Sequence, residues 1–488
     1  MMDEILADLL RAPGAQLRET HGSWVVLQGD RALKIKKPVR FPFLDYSSRQ
    51  ARLEACREEV RVNEELAPDI YVGIRAIMGG RSHVGPSSYD HRAVDYAVEM
   101  RRYDEQATMA ALLAGGRLRE SHIAQVADRI ARFHARAMPC APRDQPSRWA
   151  RQTLADLTDV EGFGGPPAHL RRDFAAAAMR RELTVMEGRW TAGLVRDGHG
   201  DLRAEHVLLT TPITIVDRLE FDPTMRCADV ADDLAFLAMD LEWLGARWAA
   251  DLLVEAYAAA GGNTAPPSLA ALFAWRRALV RAKVALIRDL PQDAAGLLDL
   301  ADQLAWRARA PITIAVIGPP ASGKSTLATA LARRMEIPVV SSDVVRKQLR
   351  GLSPTERAGG DAYSSRATAD TYAALTERAR ADEAPDGGVV VDGTFSTAAQ
   401  RAELESALRG PVHWIVCEAP EAVLGARAAA RAQDAQRISD AGPGVAVALA
   451  RTFEPTGGLE RVLRLDTQYP AETLLSEVAA WIDTPPGS

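Results

Sequence analysis

Residues 312–326 read ITIAVIGPPASGKST. The first six form a continuous apolar, largely β-branched run, the pattern of a strand buried on both faces of a parallel sheet. The next nine satisfy G-x-x-x-x-G-K-S/T through Gly318, Gly323, Lys324 and Ser325, and LATALARRM behind them has the pattern of a helix. Glycines let successive main-chain N–H groups curl round phosphate oxygens, and the helix start adds its partial positive charge. The loop, with Ala321, Ser322 and Thr326 completing it, is therefore expected to hold the phosphates of ATP. Lys324 would bridge the β- and γ-phosphates and Ser325 would hold Mg2+.

Downstream, the strand-like runs IPVVSSD, GGVVVDGTF and PVHWIVCEAP alternate with helix-length stretches, so residues 311–488 read as an α/β domain with a parallel sheet, bounded at Pro311. Asp343 and Asp392 each close one of these runs, at the strand ends where open α/β sheets bind ligands. These residues resemble the small P-loop kinases of the gluconate-kinase, zeta-toxin and polynucleotide-kinase-like group. The resemblance implies that Asp343 is the general base for an acceptor hydroxyl, with Arg346 beside it for an anionic acceptor. Arg427 and Arg431, four apart in EAVLGARAAARAQD, resemble the lid arginines that close over the transferring phosphate. Asp392 is read either as a Mg2+ carboxylate or as a turn residue.

The chain before Pro311 has a different grammar. SWVVLQGDRALKIKK, 23–37, is a hairpin turning at Gly29 and Asp30, and the stretch 48–68 is helical up to Pro68. RAVDYAVEMRRYD reads as a buried strand, and a largely helical region follows. Within it, HGDLRAEHVLL at 199–209 precedes a short strand ending in Asp217. In this order the elements resemble the aminoglycoside phosphotransferase family, related to protein kinases. By that resemblance Lys34 pairs the α/β-phosphates, with Lys36 its rival on the same strand face, and Glu59 orients it. Glu99 and Arg101 belong to the hinge against which adenine lies. Asp201 is the catalytic base, Asp217 holds Mg2+, and Asp233 is a structural carboxylate. The family's metal-binding Asn is replaced here by His206. Imidazole is a poor substitute for an amide oxygen toward Mg2+, so Glu205 or water supplies the oxygen, or metal binding in this half is impaired.

The fold class expected is thus an α+β kinase-like bilobal domain at 1–305, with lobes at about 1–105 and 106–305, followed by an α/β P-loop domain with a parallel sheet. With 59 Lys and Arg against 65 Asp and Glu, the net charge of -6 argues against general nucleic-acid binding. The four cysteines lack any C-x-x-C pairing and suit buried thiols in a reducing cytoplasm. No leader-like or membrane-spanning run is read. The leading expectation is an ATP- and Mg2+-dependent kinase with two nucleotide sites, acting on a hydroxyl of a small molecule. The alternatives are a P-loop enzyme governed by an impaired kinase-like sensor or antitoxin-like half, and a polynucleotide-end kinase.

Overall fold

The computed structural model describes all residues except 1, 21, 42–43, 79–91, 141–144, 166–168, 354–355, 384–387, 433–450 and 486–488. The chain packs as two compact units, Met1–Trp149 with Leu183–Ala265 and Arg276–Arg281, and Ala150–Glu182 with Pro266–Trp275 and Ala282–Ser488.

The first unit opens with strands β1 (Gln16–Glu19), β2 (Ser23–Gln28) and β3 (Arg31–Lys36), followed by the helix Arg49–Asn63 and strands β4 (Tyr71–Met78) and β5 (Ala93–Arg101). They form one antiparallel sheet in the order β1-β2-β3-β5-β4. Between β2 and β3 the chain turns at Gly29 and Asp30, with Gly29 at φ 58°, the left-handed geometry that a two-residue hairpin needs. Alternation along the strands divides the side chains. Val26, Leu33, Ile35, Ile77 and Ala97 pack on the amino-terminal helix Met2–Leu9 through Ile5, Leu6 and Leu9. Ala32, Ala76, Tyr96 and Val98 pack on Leu53 and Cys56 of the helix Arg49–Asn63, which ends five residues before Pro68. The helices Glu120–Arg136, Val230–Trp243 and Arg247–Ala259 enclose a second core around Ile130, Phe133, Leu237 and Leu253, on which the 199–209 loop rests through Leu202, Ala204 and Val207. This is the kinase-like α+β arrangement expected.

In the second unit, β6 (Ile312–Ile317), β7 (Val339–Ser341), β8 (Gly388–Asp392), β9 (Val412–Glu418) and β10 (Val462–Asp466) form an all-parallel sheet in the order β7-β8-β6-β9-β10. Ile312, Ile314 and Val316 face the helices Lys324–Met335 and Ala471–Asp483, while Ala315 and Ile317 face the other side with Leu375, Leu404 and Trp414. Burial on both faces is what the unbroken apolar runs demand. The expected α/β P-loop fold is present. Strand β10 was not read from the sequence, because VLRLD buries only Leu465 well and has no continuous apolar run.

Two sequence readings are corrected. Asp343 does not end a strand: β7 stops at Ser341 and Asp343 lies in the first turn of the helix Ser342–Gln348. Of the four cysteines, only Cys56 and Cys417 are buried, while Cys140 and Cys227 are half-buried. No helix among the described residues is long and apolar enough to cross a membrane.

The second unit is tied to its helical segments by a buried ion pair. Arg309 directs Nη2 to Asp483 Oδ2 at 2.6 Å and stacks 4.7 Å over the ring of Phe174. Removing one partner of such a pair leaves a charge without water or counter-ion. Asp483→Ala is therefore expected to cost that unit about 3–5 kcal/mol, read from its transition in chemical denaturation followed by tryptophan fluorescence.

Candidate active sites

The pleat of β3 decides which lysines enter the first site. Leu33 and Ile35 face the amino-terminal helix, so Lys34 and Lys36 both point at the helix Arg49–Asn63 and at Glu59, which is fully buried. Lys34 Nζ lies 2.7 Å from Glu59 Oε1 and 2.7 Å from Asp217 Oδ1, and Lys36 Nζ lies 2.6 Å from Glu59 Oε2. Lys36 is thus a second partner of Glu59 as well as a rival of Lys34. It also pairs with Glu220, which accepts the Tyr46 hydroxyl at 2.7 Å. Burial disfavours the charged form of Lys34, but Asp217, Glu59 and Glu220 overcome it and hold its pKa well above the usual range. For Asp217, too, burial works against ionisation, and Lys34 and His206 reverse it and hold the carboxyl well below its usual range.

His206 fills the position expected for Asn. Its Nδ1 is 2.8 Å from the Asp201 carbonyl oxygen, and its Nε2 is 3.6 Å from Asp217 Oδ2. The structure thus brings Lys34, Glu59, Asp201, His206 and Asp217 to one place, with Asp217 at φ 62°, its N–H donating to the Tyr71 hydroxyl at 3.0 Å. It does not bring Glu99 there. Glu99 pairs in register with Leu33, so its side chain lies on the sheet face opposite Lys34, where Arg31 and Arg75 hold it. Arg101 is exposed at the end of β5, and its N–H is taken by the Ile70 carbonyl at 2.8 Å.

Asp233 builds the loop that carries Asp201. Its carboxylate accepts the N–H groups of His199 and Gly200 at 2.7 and 2.9 Å and receives His134 Nε2 at 3.1 Å, while His134 Nδ1 meets the Tyr257 hydroxyl at 2.8 Å. Arg218 adds bonds to the carbonyls of Asp197 and Gly198. Gly200, at φ 84°, turns the chain where a side chain would press on Arg226 and Leu219. Asp201 itself is gripped by Arg203, whose Nε and Nη2 reach Oδ1 and Oδ2 at 2.9 and 3.0 Å. Burial raises the Asp201 pKa, and the charges of Arg203 and His206 bring it below the usual value. Arg203, His134, Glu220 and Tyr71 carried no assignment in the sequence reading. Arg203 stands two residues from the base and Glu220 three residues beyond Asp217, and no spacing rule marks either.

At the second site, the loop between β6 and the helix Lys324–Met335 has the open backbone that its glycines allow. Gly318 is at φ 142°, and a Cβ there would fall 2.5 Å from the Cys417 carbonyl oxygen. Ala321 and Gly323 also have positive φ, 67° and 88°. Ser322 Oγ is buried without a hydrogen-bond partner, Lys324 is buried, and Ser325 and Thr326 are exposed at the helix start. Asp392, at the end of β8, accepts from Ser341 Oγ at 3.0 Å and leaves Oδ1 buried and unpartnered. Burial pushes its carboxyl above the usual range against the opposing pull of Lys324 and the nearby Ser325 and Ser341 hydroxyls. Asp343 lies beside this group at the same carboxyl edge of the sheet. Arg346 is buried, donating to the Ala362 carbonyl at 2.7 Å and stacking 4.7 Å over Tyr363, with Nε unpartnered. Arg427 grips Thr467, through Oγ1 at 3.0 Å and the carbonyl at 2.7 Å, and Thr467 lies against Gly323. The side chain of Arg431 lies outside the described residues. A cradle without Cβ atoms, two orphaned buried oxygens and a buried lysine fit a nucleotide's phosphates with their cation.

A protein-family model described as an AAA domain matches residues 314–456. The uncharacterized protein Rv2004c of Mycobacterium tuberculosis is 33% identical over 462 residues, covering 90% of this chain and 90% of its own. The chain belongs to the Rv2004c family. Among solved structures, a gluconokinase from Sinorhizobium meliloti 1021 is 22% identical, covering 35% of this chain and 91% of its own with a TM-score of 0.27. A choline/ethanolamine kinase family protein from Mesorhizobium loti is 17% identical, covering 62% of this chain and 94% of its own with a TM-score of 0.38. The Rv2004c-type chain carries one five-stranded antiparallel sheet in its first unit and one five-stranded parallel sheet in its second.

His199, beneath Asp201, and His413, on β9, are both buried and both driven down to about 4, chiefly by desolvation. The unfolded chain, with an ordinary histidine value of about 6.5, binds protons in this window that the folded chain refuses. The stability is therefore present above that value and lost as pH falls toward 4. Denaturation midpoints between pH 7 and 4.5 should fall less steeply in His199→Asn for the kinase-like unit and in His413→Asn for the P-loop unit.

Proposed function

We propose that this chain is an ATP- and Mg2+-dependent phosphotransferase acting on a hydroxyl of a small-molecule acceptor, with nucleotide sites in both 1–305 and 311–488. The observation that carries the reading is the phosphate loop. Ser322 Oγ and Asp392 Oδ1 are buried without partners beside Lys324, at a point where Gly318 and Gly323 leave the main chain bare. Buried polar atoms in a native site ask for a ligand, and an anion with its cation supplies both kinds of partner.

In the P-loop half, residues 318–326 grip the triphosphate, Ser325 and Asp392 hold Mg2+, Asp343 receives the acceptor proton, and Arg427 with Arg431 closes on the transferring group. In the kinase-like half, Lys34 held by Glu59 orients phosphates, Asp217 holds Mg2+, and Asp201 aligns the acceptor hydroxyl. When bound, the metal would neutralise developing charge on the phosphates. Adenine is assigned to the main chain near Arg101, because the Glu99 carboxylate faces away. The reading places the protein in the cytoplasm and without nucleic-acid partners.

One observation favours a second reading for the kinase-like half. Both oxygens of Asp201 are occupied by Arg203, which suits a unit that senses nucleotide and restrains the P-loop half without transferring phosphate. Lys34→Met in the full chain separates the two: increased P-loop turnover favours restraint.

Lys324→Ala is expected to lower ATP turnover by the P-loop half about 100-fold or more, and Asp201→Ala to do the same for the kinase-like half. The measurement is transfer of label from γ-labelled ATP to a panel of sugar, amino-alcohol and hydroxy-acid acceptors. A chain that binds no ATP, with both substitutions silent, would sink the proposal.

A further inference from the structure

Arg203 occupies an unusual position in the kinase-like site. It stands immediately before the single turn Ala204–His206, and its guanidinium forks onto both oxygens of Asp201 at 2.9 and 3.0 Å. Its Nη1 takes Glu205, and Nη2 lies 3.1 Å from His206 Nε2. His206 Nε2 is in turn 3.6 Å from Asp217 Oδ2, and Asp217 Oδ1 is 2.7 Å from Lys34 Nζ. Two cations, Arg203 and Lys34, therefore flank Asp217 on either side, with one imidazole between Arg203 and the carboxylate. The Arg203 side chain keeps 17% exposure, Asp201 29% and Glu205 56%, so the fork is reachable from solvent and its grip is not sealed in a core.

A planar guanidinium binds carboxylate and phosphate oxygens by the same two parallel N–H bonds. An oxyanion entering the cleft is therefore a like-for-like replacement for Asp201 as the acceptor of this fork. Glu205 is half-exposed and surrenders its share at little cost. While the fork rests on Asp201, each carboxylate oxygen already accepts one Arg203 N–H, and the guanidinium charge lowers the carboxylate's pull on a hydroxyl proton. Once the fork moves, that pull is restored.

We infer that Arg203 is an oxyanion ligand of the kinase-like site, and that its transfer from Asp201 to a phosphate or carboxylate oxygen is what unmasks Asp201. The inference rests on the reading that this unit binds nucleotide. The oxyanion comes either from the terminal phosphate of the nucleotide or from an anionic group on the acceptor, and the two sources separate by experiment.

The test uses the full-length chain carrying Lys324→Ala to silence the P-loop. Fluorescent ATP and ADP analogues are titrated, and glycerol 3-phosphate is titrated calorimetrically into the ADP complex, before and after adding Arg203→Met. Loss of about tenfold or more in ATP affinity, with ADP affinity held within about twofold, identifies the nucleotide phosphate as the source. Unchanged nucleotide affinities with loss of glycerol 3-phosphate binding identify the acceptor. If Arg203→Met moves none of the three, or weakens ATP and ADP equally, the inference is overturned. Should that variant fail to fold, Asp201→Asn decides: a freed fork is expected to bind ATP or glycerol 3-phosphate more tightly, and unchanged or weaker binding of both overturns it. A separate control, Lys34→Met, reports on the underlying reading. If it leaves nucleotide binding to the Lys324→Ala chain untouched, the kinase-like nucleotide site has failed independently of Arg203.

Discussion

A carboxylate with no access to water has to be neutralised by its neighbours or not exist in that form, and Glu59 is such a group. The two lysines that serve it come from alternate positions of one strand, and each reaches onward, Lys34 to Asp217 and Lys36 to Glu220. One buried charge thereby fixes the helix Arg49–Asn63, strand β3 and the segment 217–220 to one another. None of the three can shift without stranding a charge. The geometry of the first site is in this sense a by-product of electrostatic necessity in its floor.

The second site is organised on the opposite principle. Its recognition surface is main chain, and the side chains around the loop chiefly keep space open. Gly318 lies too close to the Cys417 carbonyl to carry a Cβ, and the parallel sheet delivers Gly318, Asp343, Asp392 and Thr467 to one edge because every strand runs the same way. The apolar interior on both faces of the sheet holds that edge rigid.

Legibility in the sequence followed the range of the interactions. The phosphate loop, the Gly29–Asp30 hairpin, the Lys34–Glu59 pair and the 199–201 loop are local patterns or familiar orders of local patterns, and all were readable. The far-face position of Glu99 was not, because it depends on the pleat parity of β5 relative to β3. The grouping of residues 150–182 with the P-loop unit is equally hidden, since contacts such as Arg180 with the Asp483 carbonyl join residues 303 positions apart. Asp343 was misplaced by two residues at an element boundary. Arg203 was in plain view but carries no period or motif of its own, and only three-dimensional placement shows where its fork rests.

Thr467, just past the last strand, accepts from Arg427, donates to the Glu418 carbonyl at 3.1 Å and touches the turn at Gly323. Thr467 is therefore part of the wall of a loop laid down about 140 residues earlier. During synthesis, the glycine turn emerges well before its support does. Any ligand grip that needs a finished wall must wait until Thr467 has left the ribosome.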